Sequence, residues 1–117
     1  MLYHKDIGMP ELAKQFHGKK FDLSFSHHAK MAAINDRYGV INKPPFSLTV
    51  TADNLIELEL NSAMRPVKLV VRLDYDKEFD IVLAIIPDFN RALVKTMWLN
   101  RKTDNHFTLN HAAYQKP

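Results

Sequence analysis

The chain has 117 residues, a mass of 13.6 kDa and a formal net charge of +3, with a pI near 9.2, which is the size of one domain. Its 46% hydrophobic and 25% charged residues exclude a disordered chain, and its longest apolar run, 81–87, is far short of the roughly 20 residues of a membrane helix. It has no cysteine, which excludes a disulfide framework, a thiol nucleophile and a cysteine-based zinc site.

Residues 1–20 read as an N-terminal arm carrying a short helix. Pro10 and Glu11 open a helix-compatible stretch over 11–17 that Gly18 ends. Phe21, Leu23 and Phe25 alternate with Asp22 and Ser24, a brief strand signal. Ser26 is placed to cap a helix over 27–38 that closes at Gly39. On a 3.6-residue period His27, Met31, Ile34 and Tyr38 share one face, while Ala29, Ala32 and Ala33 form a small-residue face suited to close packing. Lys30 and Arg37 share a third side.

Pro44-Pro45 breaks the chain, and from there the period is two. Strands are expected at 47–52, 55–60, 67–74, 79–86 and 92–100. Glu57 and Glu59 alternate with Ile56, Leu58 and Leu60, which predicts one wet face. The segment 79–86 is apolar on both faces and reads as a central strand. Connectors are short, so the strands should form antiparallel hairpins. The expected fold is a single α+β domain over 1–117. One or two N-terminal helices pack on a four- to five-stranded antiparallel meander within 21–100, and a polar tail follows over 101–117.

Charge is divided along the chain. Residues 1–43 hold seven Lys/Arg against four Asp/Glu, residues 44–90 hold four against eight, and residues 91–117 hold five against one. All six histidines lie in the two basic flanks. This pattern predicts one positive side, suited to a polyanion.

Two segments carry candidate chemistry. Ser26-His27-His28-Ala29 opens the main helix, where free N–H groups favour an anion and a histidine can move a proton near neutral pH. After the last expected strand, Arg101, Lys102, Asp104 and His106 bring two cations, an acid and a second histidine. His28 and His106 are the candidate acid–base pair; Lys30, Arg37, Arg101 and Lys102 are the candidate phosphate holders; Asp104 is placed to orient His106. No metal site is expected, because His27 and His28 project about 100° apart on a helix and His106 and His111 lack a zinc spacing. No Walker loop or G-x-G-x-x-G is present among only three glycines, so no nucleotide cofactor is expected. Phe107 and Tyr114, flanked by polar residues, are candidates for base stacking or a protein contact.

The run Ser26-His27-His28-Ala29, followed by Arg37-Tyr38-Gly39-Val40-Ile41, resembles the helix of small RelE-like and colicin-like domains, often toxin, plasmid or phage proteins. The order of a helix, a meander with a valine-rich last strand and a polar tail is also similar. The resemblance spans about residues 21–114 and carries over His28 and Arg37. It implies a metal-independent ribonuclease that activates the 2′-hydroxyl and leaves a cyclic phosphate. The chain departs from such toxins in its acidic middle and low net charge.

Two function classes follow. The first is a metal-independent RNA-binding and RNA-cleaving domain of toxin or phage type. The second is a non-enzymatic, phage-encoded protein that binds and modulates a host protein. The partner is therefore RNA or a host protein, with no membrane, and homodimerisation through an edge strand fits either class. His4, Lys5 and Asp6 stand where a signal peptide would be apolar, so the expected location is the cytoplasm, that of the host if the chain is phage-encoded.

Overall fold

Alternating apolar and polar residues draw seven segments of the chain into one sheet. The computed structural model describes residues 1–5 and 8–104. Its strands are β1 (Leu2–His4), β2 (Lys20–Phe25), β3 (Ser47–Thr49), β4 (Leu55–Leu60), β5 (Pro66–Asp74), β6 (Phe79–Asp88) and β7 (Arg91–Arg101). They pair in the order β1-β4-β5-β6-β7-β2-β3. The only α-helix among the described residues is α1 (His27–Ile34), and Glu11–Phe16 forms a 3-10 helix.

This corrects the expected architecture. The four-strand meander β4–β7 is present and antiparallel. It is extended at both ends, by β1 against β4 and by the β2–β3 pair against β7. The β2–β7 contact is parallel, so the sheet is mixed and seven-stranded, and the protein is mostly β with one short helix rather than helices layered on a small meander. Short connectors specify only hairpin partners. Nothing local marks a pairing between residues about seventy positions apart.

Both helical segments are shorter or tighter than their sequence pattern predicts. Pro10 offers no side-chain cap, and its carbonyl accepts from Ala13 N–H at 2.9 Å, an i→i+3 bond that sets the 3-10 pitch. The helix expected over 27–38 stops at Ile34. Asn35 caps it, and both its backbone N–H and its Nδ2 donate to the Met31 carbonyl. Asp36 then turns outward to bond other backbone groups, competing with helical continuation.

The larger core lies on the sheet face that α1 covers. Phe21, Leu58, Leu69, Ile81, Leu83 and Ile85 are fully buried there with Ala29 and Ala33 of α1. The alanine face therefore packs inward, and small side chains let the helix approach β7 closely. Met31 and Ile34 are left exposed. A second cluster, Ile56, Val70, Val82 and Ala84 with Trp98, forms on the other face. Strand β6 is at the centre of the order and apolar on both faces, as its composition predicts.

Strand β4 departs from its expected wet face. Glu57 is fully buried, and register shifts between Leu55 and Glu57 and between Glu59 and Leu60 break the simple alternation. Only Glu59 keeps a solvent-side role, pairing with Lys68 across the ladder at 3.1 Å. Among the described residues no helix is long and apolar enough to cross a membrane.

Candidate functional site

The site is a seam between α1 and the free edge of β7. Strand β2 pairs with β7 only over Arg91–Val94, which leaves the edge beyond Val94 without a strand partner on that side. An open edge exposes backbone donors and acceptors that must be satisfied. The residues flanking α1 do this. Ser26 N–H donates to the Val94 carbonyl at 3.0 Å, and Ser26 Oγ donates to the Lys95 carbonyl at 3.0 Å while accepting from Ala29 N–H as the helix cap. At the other end Asp36 Oδ1 accepts from Leu99 N–H at 3.0 Å, and its Oδ2 accepts from Tyr38 N–H at 3.1 Å.

The lengths match. Ten residues from Ser26 to Asp36 advance about 15 Å at the helical rise. Five strand residues from Val94 to Leu99 advance about 16 Å. Helix and strand therefore run side by side in the same direction, pinned at both ends.

At the far end two cations converge on one ring. The Arg37 guanidinium lies 4.7 Å from the Tyr38 ring centroid and that of Arg101 lies 5.4 Å from it. Tyr38 itself packs on Phe79 at 5.0 Å between centroids. Arg37 Nη2 donates to Asn100 Oδ1 at 3.4 Å. Asn100 is fully buried, and its Nδ2 has no hydrogen-bond partner among the described residues. The Arg101 backbone is held on both sides: its carbonyl accepts from Arg72 Nη2 at 2.8 Å and its N–H donates to Asp104 Oδ2 at 3.3 Å.

Behind this cluster lies a neutralised one. Asp80 accepts from Arg72 Nε and from Lys102 Nζ, both at 2.8 Å, and Lys102 also pairs with Asp74. Burial pushes the Asp80 carboxyl up, but the bonds from Lys102 and Arg72 outweigh it and hold it below the usual carboxylate value. The bonds to Asp74 and Asp80 raise the Lys102 ammonium above its ordinary value.

The residues singled out from sequence thus separate into three places. Arg37 and Arg101 come together. His28 and Lys30 are exposed on α1 near its start, and the nine residues from His28 to Arg37 place them roughly 13 Å apart along the seam. Lys102 is engaged by two carboxylates. Asp104 closes a turn on Arg101 through its side chain and through its N–H to the Arg101 carbonyl at 2.9 Å. His106, Phe107, His111 and Tyr114 lie outside the described residues. Among the described residues no three histidine or carboxylate side chains cluster as a metal centre needs.

Sequence reasoning missed Tyr38, Asn100 and Asp36. Tyr38 reads as one more apolar position on a helix, and Asn100 as the end of a strand. The available signal was the asparagine closing an apolar strand directly before Arg101-Lys102. No family model, curated protein or solved structure matches the chain.

Proposed function

We propose that the protein binds RNA along the α1–β7 seam and cleaves it by metal-independent acid–base chemistry. The observation that carries this reading is the pair of guanidinium groups over Tyr38. The Arg101 side chain makes no ion pair among the described residues. Its guanidinium fork, beside that of Arg37 on the same ring, matches a phosphate. Lys30 lies along the same seam as a further backbone contact.

His28, exposed in the first turn of α1, is the proposed base that takes the 2′-hydroxyl proton. The freed oxygen attacks the adjacent phosphorus, and the bond to the 5′-oxygen breaks. His106 is the proposed acid that protonates that leaving oxygen, giving a cyclic phosphate and a free 5′-hydroxyl. The resemblance of Ser26–Ala29 and Arg37 to toxin ribonucleases supports the same assignment.

The test is a cleavage assay on tRNA and total RNA with excess EDTA. Wild-type protein should cut. His28→Ala should lose at least a hundredfold in rate, and Arg37→Ala and Arg101→Ala should weaken RNA binding. RNA left intact by the wild type sinks the ribonuclease reading. A second reading, a modulator of a host protein, is favoured by one feature. Met31, Ile34 and Val40 are 43%, 56% and 58% exposed at and just beyond the outer face of α1. Intact RNA together with a stoichiometric protein complex, disrupted by Ile34→Lys, would establish it.

A further inference from the structure

We infer that the sheet face opposite α1 is the docking surface of residues 105–117 of the same chain. The burial of that face carries this, independently of the RNA reading.

The face is closed although no described helix or loop packs on it. By register Val70 and Ala84 lie side by side across β5 and β6, and Val82 lies between Arg72 and Trp98. Val70, Val82 and Ala84 are at most 2% exposed, as are Ile56 and Glu57 of the neighbouring β4. Neighbours within a sheet flank such side chains but leave their tips open. Complete burial across three strands takes a second layer, about 10 Å away. Neither helical segment is that layer. Ala29 and Ala33 of α1 belong to the larger core, and Leu12, Ala13 and Phe16 of the 3-10 helix pack against it. Among the described residues, the partly buried apolar side chain packed against the second cluster is Trp98, which belongs to the sheet itself. The cover is also local, since Leu93, on the same face at the other end of β7, is 38% exposed.

Within this sequence, 6–7 and 105–117 lie outside the described residues. Residues 6–7 precede Met9, which packs against the larger core. Two residues span at most about 7 Å, and three strands are about 10 Å across.

Residues 105–117 fit on three counts. They begin in the right place. Lys102 pairs with Asp80 and Asp74, which share this face with Val82 and Val70, and Asp104 N–H closes a turn on the Arg101 carbonyl at 2.9 Å. They are long enough. Thirteen residues reach about 43 Å extended or about 20 Å as a helix, and β7 to β4 is about 14 Å. Their composition suits the face. Phe107, Leu109 and Tyr114 offer apolar cover, and His106, His111 and Lys116 come with no Asp or Glu. The fully buried Glu57 lies opposite Val70 in this face, and a carboxylate taken out of water is held by donors. Docking there also starts at the end of the sheet where Arg37 and Arg101 meet, and so keeps His106 near them.

The experiment is methyl NMR on the full-length protein in dilute solution. Ring protons of Phe107 or Tyr114 should give NOEs to the methyl groups of Val70, Val82 or Ala84. Aromatic NOEs to these methyls from Trp98 alone overturn the docking. A sample mixing labelled and unlabelled chains separates contacts within a chain from contacts between chains. NOEs found only between chains mean that a second copy covers the face, which overturns it as well. Trp98 is the sole tryptophan and reports the cover optically. Phe107→Ser with Leu109→Ser should move its emission to the red and open it to acrylamide. Phe89→Ser, at the exposed β6–β7 turn, should leave both unchanged. Unchanged Trp98 emission in the double variant overturns docking by this segment. Cleavage of RNA without the NOEs removes only the docking, and the NOEs without cleavage remove only the ribonuclease reading.

Discussion

Asp36 shows how one side chain decides where a helix stops and where a site begins. Its two carboxylate oxygens accept from Leu99 N–H and Tyr38 N–H, so the chain leaves α1 and is fastened to β7 at the same point. That fastening places Arg37 and Tyr38 beside Asn100 and Arg101. Removing it leaves the Leu99 N–H at a covered strand edge without its acceptor. Hydrogen bonds to a charged group contribute about 1.5–3 kcal/mol. Asp36→Ala should therefore lower unfolding stability by about that amount in urea melts, and Asp36→Asn by less, because it keeps one acceptor oxygen. An Asp36→Ala midpoint equal to wild type would show that Asp36 does not hold the seam closed.

At the scale of elements, β5, β6 and β7 are tied together by Arg72, Asp80 and Lys102, with Asp74 at the rim. The two shifted groups set opposite ends of a pH window. Asp80 has its folded pKa below the ordinary aspartate value of 3.8, so its contribution is full above that value and is lost as pH falls through the folded pKa. Lys102 has its folded pKa above 10.5, so its contribution is full below that value and is lost as pH rises through the folded pKa. Between them the cluster contributes fully. Asp80→Asn should cost about 2 kcal/mol at pH 7 and flatten the fall in stability below pH 4. Thermal melts from pH 2 to 7 check this, and an unchanged acid limb would show that Asp80 is not the group responsible. The same cluster explains why Lys102 is a weaker phosphate candidate than its neighbour. Its charge is already matched, whereas the Arg101 side chain makes no ion pair among the described residues.

At the scale of the molecule, the sheet ends on short edge strands. β1 pairs its three residues with Leu58 and its two flanking glutamates, and the Met1 amino group donates to the Leu60 carbonyl at 2.6 Å. This covers an edge whose Ile56, Leu58 and Leu60 side chains are buried. Deleting residues 1–4 should lower the melting temperature and promote self-association through the bared β4 edge. Sedimentation at several concentrations decides it, and a truncated chain that stays monomeric with an unchanged melt would show that β1 is dispensable.

The sequence by itself determined the strands β4 to β7 to within a residue or two, their hairpin order and the central place of β6. Local alternation and short connectors carry that information, and it survives whatever surrounds it. It also singled out Arg37 and Arg101, through the basic flanks and the residues after the last strand. Only the tertiary structure decided the rest: the parallel union of β2 with β7, the added strand β1, the burial of Glu57, and the meeting of Arg37, Tyr38, Asn100 and Arg101. Each depends on segments far apart in the chain, and a contact closed over sixty or seventy residues leaves no periodic trace near either partner. For the same reason His28, read beside the other candidates, lies at the opposite end of the seam from the guanidinium pair.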